Sequence, residues 1–302
     1  WWKECDDKRR ADDHLSLVAG MRSLQMVELE KHNITKLEQF AKAEKPLPEK
    51  PERGNKQTYV KIHNQAKIQL RGRKEGLVYE HLAYEAEKGL ARLPEPSPSD
   101  IYFDIEGDPF CDGGGLEYIL GYVVKEKQGK LSYHYYQALN HQQEKVAFET
   151  FIDFVMERWR KDEGMFIYHF APYEPGAIKR LASKHGTRET EVDKLLRAKR
   201  FVDLYSIFRE ALRASVERYS LKDLELFTEF KRKIELRTAG AARRQVEFAL
   251  ELNAIDAVPL EILDIVRAYN ADDCFATEAL HRWLEARLVE LKTKVGEIPR
   301  PL

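Results

Sequence analysis

The sequence predicts an α/β fold in which a mixed five-stranded sheet is flanked by helices and preceded by a mainly helical N-terminal segment. From residue 100 onward, short segments with alternating or continuous apolar residues are followed by longer amphipathic segments with helical periodicity. Before residue 100 the patterns are mostly helical and are separated by proline-rich stretches. Strands that alternate with helices are typical of α/β domains.

The expected strands are short and rich in β-branched or aromatic residues, and they lie at 101–105, 117–125, 131–138, 165–168 and 201–204. Turns expected at 111–115 and 128–130 make the first three strands antiparallel neighbours. The expected helices carry an apolar face and lie at 142–160, 172–185, 189–196 and about 260–291.

Proline-rich stretches at 44–56 and 93–99 divide the chain. We expect four parts: a helical segment over 1–43 that includes a helical hairpin, a linker and basic helix over 44–99, an α/β domain over 100–292, and a tail over 293–302.

Composition restricts the class of protein. No apolar run reaches the roughly 18 residues of a membrane helix, and no signal peptide is present. Cys5, Cys111 and Cys274 are widely spaced and form no CxxC motif, which favours a reducing cytoplasm. A net charge of −1 neither supports nor excludes a polyanionic partner. The chain starts with Trp1 instead of Met, so we expect it to be a piece of a longer protein.

A basic region extends from residue 42 to residue 74, with ten Lys or Arg against three Glu. We expect a long helix over 57–90, with a possible break at Gly72 or Gly76. Its polar and basic residues are Gln65, Lys67, Gln69, Arg71, Arg73 and Lys74. They form either an ordinary solvated face or an arm that contacts nucleic-acid phosphates and releases them as salt rises.

Two acids lie on the first expected strand of the α/β domain, in the run that contains Asp104-Ile105-Glu106. Side chains in a strand have a period of two, so Asp104 and Glu106 share one face. Two neighbouring carboxylates repel each other, and a divalent cation relieves the repulsion; Mg²⁺ and Mn²⁺ prefer such oxygen ligands. The simpler interpretation is a solvated face of the sheet.

Two further acids follow later strands. Glu174 lies in the first turn of a helix that opens at Pro172, where an anion is favoured even without a metal. Asp203 lies on a short buried strand, and its commonest role would be a hydrogen bond to the helix that starts at Tyr205.

The last helix contains Tyr269 and Asp273, four residues apart and therefore on one helical face. A tyrosine hydroxyl beside a carboxylate is suited to orienting a water molecule near a metal. Asp272 points elsewhere and is expected to be a solvated acid.

The order of these motifs resembles the DEDD 3′–5′ exonucleases of ribonuclease H-like fold, in their tyrosine variant, over about residues 100–290. The resemblance implies that Asp104, Glu106 and Asp273 bind metal and that Tyr269 positions the attacking water. The second motif of that family usually ends in Asp, whereas here Glu174 supplies a longer acid that would shift the metal position.

Longer phrases resemble the RecB-like nucleases with a YprB-type ribonuclease H-like domain: GLARLPEPSPSDIYFDIEGDPF, YHFAPYEPGAIKRL and YNADDCFATEALHRWL. This resemblance implies that residues 1–43 begin with the end of a RecB-like nuclease domain and that a helicase domain or subunit is a partner. It also implies that Cys5 belongs to an iron–sulfur cluster only in a longer parent chain. One thiolate does not hold a cluster, so Cys5 is expected to be free here.

Together these features predict phosphodiester hydrolysis with two Mg²⁺ or Mn²⁺ ions on Asp104, Glu106, Glu174 and Asp273. His169 and Tyr173 beside the site, and the basic helix, would contact single-stranded DNA or RNA. Two alternatives stay open: a ribonuclease H-like module that binds a strand without cutting it, and an enzyme that hydrolyses nucleotides.

Overall fold

The computed structural model describes residues 1–47, 51, 52, 54–126 and 129–301. The expected linker at 44–56 and the expected turn at 128–130 therefore lie partly outside the described residues. The helices, in chain order, are α1 Trp2–Ala11, α2 Ser23–Lys31, α3 Leu37–Lys42, α4 Lys56–Glu75, α5 His141–Lys161, α6 Tyr173–His185, α7 Glu189–Arg197, α8 Leu204–Ala211, α9 Leu221–Leu224, α10 Leu236–Glu251 and α11 Leu260–Val295. The strands are β1 Tyr79–His81, β2 Ile101–Asp108, β3 Leu116–Lys125, β4 Leu131–Gln137, β5 Ile167–His169, β6 Phe201–Asp203 and β7 Leu212–Ala214.

The chain forms two compact units. The first consists of Trp1–Glu85 and Phe208–Phe227, and the second of Ala86–Ile207 and Thr228–Leu302. The first unit thus includes a segment from within the part expected to be a single α/β domain. Within the described residues, each helix is too short or too polar to span a membrane.

The first unit is mainly helical, with β1 and β7 paired antiparallel. Its basic helix is shorter than expected over 57–90: α4 ends at Glu75, where Gly76 adopts a φ of +87° that favours glycine. Gln65 and Gln69, expected on either a solvated face or a phosphate-contacting arm, are buried. Gln65 donates a hydrogen bond to Ala214 O, and Gln69 accepts one from Ala19 N. Their amides satisfy backbone groups that the apolar packing of this unit would otherwise leave unpaired.

The second unit contains the predicted mixed sheet of five strands, in the order β4-β3-β2-β5-β6. In this sheet β3 pairs antiparallel with both β2 and β4. On the other side of β2, β5 pairs parallel with β2, and β6 pairs parallel with β5. The fold class predicted from the sequence is therefore confirmed, and β2 is its central strand.

Alternation along β2 sends its side chains to two different layers. Ile101, Phe103 and Ile105 enter an apolar core with α5, α6 and α7. There the rings of Phe103 and Phe151 stack with their centres 4.3 Å apart. Tyr102 and the two acids face the opposite layer. There α10 and α11 pack on β3 through a second apolar cluster that includes Val246 and Val266. The acids thus lie beneath the last two helices.

Candidate functional site

Three acidic side chains converge on one point between the central strand and the last helix. Asp104 and Glu106 come from β2 and Asp273 from α11. One carboxylate oxygen from each residue lies within 4.8 Å of the corresponding oxygens of the other two. Glu106 and Asp273 are buried, and Asp104 is partly buried. This confirms that Asp104 and Glu106 share a face and that Asp273 joins them from a distant part of the sequence.

A buried asparagine on α11 orients Asp104. Asn270 donates from Nδ2 to Asp104 Oδ2 at 2.7 Å, and its own Oδ1 accepts a hydrogen bond from the Tyr133 hydroxyl at 2.8 Å. Gly121 pairs with Asp104 across the β2–β3 ladder and leaves the space that the amide occupies. A methyl group at Gly121 would overlap Asn270 Oδ1 and lie 2.8 Å from both Asn270 Cγ and the Tyr133 hydroxyl oxygen. The glycine is therefore required for this close approach of helix and strand.

Glu106 is paired with an arginine from α10. Arg243 Nε lies 3.1 Å from Glu106 Oε2, and Arg243 also donates to Glu247 on its own helix at 3.0 Å. Burial opposes the charge of the guanidinium, but the adjacent carboxylates outweigh burial and raise the pKa of Arg243 above its ordinary value. Arg243 thus remains a cation beside the carboxylate cluster.

Asp273 is paired with a second arginine, which precedes α10. Arg232 donates to Asp273 Oδ1 at 2.6 Å. The neighbouring acid contributes to the same arrangement, since Asp272 Oδ2 accepts the backbone N–H groups of Lys233 at 2.8 Å and Ile234 at 3.0 Å. Asp272 is buried, so the expectation that it is a solvated acid is wrong. Asp272 and Asp273 thus both hold the segment before α10, Asp272 through backbone N–H groups and Asp273 through the Arg232 side chain.

Tyr269 lies one helical turn before Asp273 and is buried. The guanidinium carbons of Arg232 and Arg243 lie 5.7 Å and 5.9 Å from the centre of its ring. These distances are typical of cation–π contacts. The ring therefore belongs to the same cluster as the three carboxylates and the two arginines.

The fourth expected acid, Glu174, is buried at the start of α6 but does not belong to the group of three. His169 donates from Nδ1 to Ala171 O at 2.7 Å, and Glu174 Oε2 lies 3.3 Å from the same nitrogen. Among the described residues, that oxygen has no hydrogen-bond partner. Burial raises the pKa of Glu174, although the nearby histidine partly offsets the effect.

The loop before α6 is held by Asp203. As expected, Asp203 Oδ1 accepts the backbone N–H of Tyr205 at 2.9 Å, and the same oxygen accepts Ala171 N at 2.9 Å. Ala171 has a φ of +72°, a conformation that costs an L-residue about 1 kcal/mol or more. Asp203 therefore stabilises the turn that leads into Glu174.

The comparisons with known proteins agree with this geometry. A family model described as the RNase_H superfamily matches residues 101–285, which is more than half of the chain. The chain belongs to the ribonuclease H superfamily. Membership indicates a nuclease whose substrate is nucleic acid. No curated protein and no solved structure matches the chain.

The donor set of this ribonuclease H-like site fits a hard divalent cation. The cluster of Asp104, Glu106 and Asp273 presents carboxylate oxygens, the ligands that Mg²⁺ and Mn²⁺ prefer. The buried oxygen of Glu174 that lacks a hydrogen-bond partner fits the same chemistry. Cys274 does not compete as a ligand, because burial and then the surrounding carboxylates raise the pKa of its thiol well above the ordinary value.

The residues expected to contact nucleic acid occupy different settings. His169 is buried and positioned beside Glu174, whereas Tyr173 is 45% exposed and donates from its hydroxyl to Glu117 Oε2 at 3.0 Å. The four basic residues of α4 that are predicted to contact nucleic acid lie in the first unit and are exposed: Lys67, Arg71, Arg73 and Lys74. Arg73 forms an ion pair with Asp13 at 2.6 Å. Nucleic-acid contact by these residues remains a prediction.

Four residues of the site were not among those predicted from the sequence: Gly121, Arg232, Arg243 and Asn270. Gly121 carried a usable signal, since a glycine inside an otherwise apolar strand indicates a close approach by another element. Asn270 follows Tyr269 directly, and adjacent residues of a helix do not face each other, so helical periodicity did not place Asn270 beside Asp104. Arg232 and Arg243 carried no such signal, because they are separated from their acids by 41 and 137 residues respectively.

Proposed function

We propose that the second unit is a metal-dependent nuclease that removes nucleotides from the 3′ end of single-stranded DNA or RNA. The convergence of Asp104, Glu106 and Asp273 carries this proposal. Tyr269 is the fourth element, since it lies one turn from Asp273 in the arrangement that the tyrosine variants of the DEDD exonucleases would require. Mg²⁺ or Mn²⁺, as two ions, is the proposed cofactor.

Each residue has a distinct role in this proposal. Asp104, Glu106 and Asp273 would hold the ions, and Glu174 would complete their ligand set from α6. When bound, the ions activate a water molecule and neutralise charge on the leaving oxygen. The Tyr269 hydroxyl would orient the attacking water molecule.

Asn270 keeps the Asp104 carboxylate aimed at the cluster through its 2.7 Å hydrogen bond. A carboxylate that is fixed before substrate arrives loses less side-chain entropy when it takes up a ligand. The Tyr133 hydroxyl fixes the amide in turn, and it does so by donating to Oδ1, which leaves Nδ2 to face the acid.

The resemblance of three sequence phrases to RecB-like proteins of the YprB type supports a proposal about the wider setting of this nuclease. We propose a cytoplasmic parent protein in which a RecB-like nuclease domain precedes this chain and a helicase domain or subunit acts with it. Cys5, which is exposed and free here, would contribute to an iron–sulfur cluster in that longer chain.

A second candidate function is a module that binds single strands without cutting them. Glu174 lies outside the group of three acids. Within that group, Asp273 and Glu106 are each paired with an arginine. Both observations favour a site that takes up metal weakly.

Single-stranded oligonucleotides labelled at the 3′ or the 5′ end distinguish these candidates. With Mn²⁺, a 3′–5′ exonuclease releases the 3′ label at once as a mononucleotide and shortens the 5′-labelled strand stepwise. Asp104→Asn should lower the rate at least about 10²-fold, because it removes a carboxylate that binds the activating ions. Asp264→Asn, at a position on α11 whose side chain is 66% exposed, is the matched control and should cut as fast as the wild type.

Equal cleavage by Asp104→Asn and the wild type would reject the proposed site. If the strands stay intact but the fluorescence anisotropy of a fluorescently labelled strand rises when protein is added, the binding module is supported instead.

A further inference from the structure

Two arginines from one stretch of chain occupy the acidic cluster. Arg232 pairs with Asp273 at 2.6 Å and Arg243 with Glu106 at 3.1 Å. The Arg232 side chain is 9% exposed and that of Arg243 is 35% exposed, so neither pair resembles an ordinary surface salt bridge. Both belong to the second unit, on the segment and helix that cover the carboxylates.

The charges at this place explain the pairing. Three carboxylates with oxygens within 4.8 Å of one another repel strongly where water is scarce. Two guanidinium groups reduce the charge of the cluster from −3 to −1. The arginines therefore serve in the metal-free protein as the counter-charges that divalent cations supply in the metal-bound protein.

The backbone that follows Arg232 is fixed by hydrogen bonds. Asp272 accepts hydrogen bonds from the two residues that follow Arg232, at 2.8 Å and 3.0 Å. Arg243 is similarly fixed by its position within α10. Any response of the two arginines to an added cation is thus confined to rotation of long side chains around anchored Cα atoms.

A divalent cation on the carboxylates repels both guanidinium groups at short range. Displaced guanidinium groups need another anionic partner. A nuclease substrate supplies one, because its phosphate accepts paired N–H donors from arginine. Phosphate bound next to the cations would therefore receive the two side chains that the cations displace.

Building on the proposed nuclease function, we propose that Arg232 and Arg243 bind the substrate phosphate and that, without substrate, they pair with the metal carboxylates. Metal and arginine compete for the same oxygens in the free protein. Phosphate removes that competition by offering the arginines another partner. Divalent metal and nucleotide phosphate consequently bind with positive linkage, and each raises the affinity of the site for the other by the same factor.

Binding of Mn²⁺, followed by the electron paramagnetic resonance signal of the free ion, tests this linkage without any cleavage. Thymidine 5′-monophosphate serves as the phosphate probe, and a mixture without protein corrects for its own chelation of Mn²⁺. For the wild type we expect the nucleotide to raise the affinity for Mn²⁺ about 5-fold or more, within the usual range for coupled sites.

Arg243→Gln should bind Mn²⁺ more tightly than the wild type when nucleotide is absent, and nucleotide should then raise its affinity less. Arg244→Gln is the matched control, because the adjacent, exposed Arg244 loses the same charge from the same helix. Arg243→Lys keeps the charge and should retain most of the linkage, which separates competition from a general loss of packing. Arg232→Gln should act in the same direction as Arg243→Gln.

Two failures are distinguishable. If the wild type and the Arg232→Gln/Arg243→Gln double variant both fail to bind Mn²⁺ at millimolar concentration, the proposed nuclease site itself is wrong. If Mn²⁺ binds but its affinity and its response to nucleotide are the same in Arg243→Gln, Arg232→Gln and the wild type, the arginines are structural and the linkage is refuted.

Discussion

Gly121→Ala is the substitution for which the structure predicts the largest effect from the smallest chemical change. The added methyl group would overlap Asn270 Oδ1 and lie 2.8 Å from both Asn270 Cγ and the Tyr133 hydroxyl oxygen. Asn270 is fully buried on α11, so its side chain cannot turn into solvent. Either the amide leaves Asp104 or the helix moves away from β3.

The magnitude follows from two contributions. Overpacking a tight interior site costs about 1–3 kcal/mol. Loss of the charge-assisted hydrogen bond from Asn270 to Asp104 adds about 1.5–3 kcal/mol. We therefore expect the free energy of unfolding to fall by about 3–5 kcal/mol, which corresponds to a decrease in Tm of roughly 10 °C for a domain of this size.

Urea unfolding followed by circular dichroism measures this loss, and Gly176→Ala is the control. Gly176 lies in α6 with open space where its methyl group would be, so the same exchange should stabilise the protein by about 0.5–1 kcal/mol. Mn²⁺ binding should weaken in Gly121→Ala alone, since only there does Asp104 lose its orienting donor.

A double-mutant cycle isolates the proposed cause. In an Asn270→Ala background the amide that the methyl group meets is gone, so Gly121→Ala should lose less than half as much stability as it does in the wild type. An equal loss in both backgrounds would refute the account of Gly121 as the space for Asn270.

Three further substitutions test other parts of the structure. Asp272→Ala should lower the free energy of unfolding by about 1–3 kcal/mol, because it removes the acceptor of two part-buried backbone N–H groups. Asp272→Asn keeps an acceptor oxygen and should lose less than half of that, and equal losses in urea unfolding would contradict the role of the acid. Burial raises the pKa of Asp100 to about 7. The folded protein therefore keeps a proton that the unfolded chain releases from pH 4 upward. As a result, the free energy of unfolding that Asp100 contributes falls between pH 4 and 7 and is constant above pH 7. Asp100→Asn should therefore gain stability relative to the wild type over that interval, by at most about 4 kcal/mol in urea unfolding, and a constant difference would contradict the shift. Replacing Lys67 and Lys74 by Gln should reduce the salt dependence of single-strand binding, measured by anisotropy, by about 1.4 in the slope of log K against log salt, and an unchanged slope would exclude α4 from the interface.

The fold was accessible from the sequence because it follows from local periodicity, whereas the grouping of Asp273 with Asp104 and Glu106 was implied by the resemblance to the DEDD exonucleases. A period of two places Asp104 and Glu106 on one side of a strand, and a spacing of four places Tyr269 and Asp273 on one side of a helix. The alternation of strands and helices then makes β2 the natural centre of a mixed sheet. None of these inferences needs to know which distant side chains meet.

The other features of the site depend on contacts between residues that are distant in the sequence. The partners of Arg232 and Arg243 are fixed by how α10 and its preceding segment pack over β2, and no spacing in the chain encodes that. Asp272 resembled a solvated acid because the backbone N–H groups that donate to it belong to a segment nearly 40 residues away. Gln65 and Gln69 likewise seemed part of a polar face, although tertiary packing buries them.

Asp104, Glu106 and Asp273 are proposed to form a divalent-metal centre. Anomalous scattering from a crystal soaked in millimolar Mn²⁺ locates bound Mn²⁺ without relying on cleavage. We expect a peak within coordination distance of these three carboxylates, with the guanidinium groups of Arg232 and Arg243 displaced from them. A crystal without a peak at this cluster, and with both arginine–carboxylate pairs intact, would contradict the proposal.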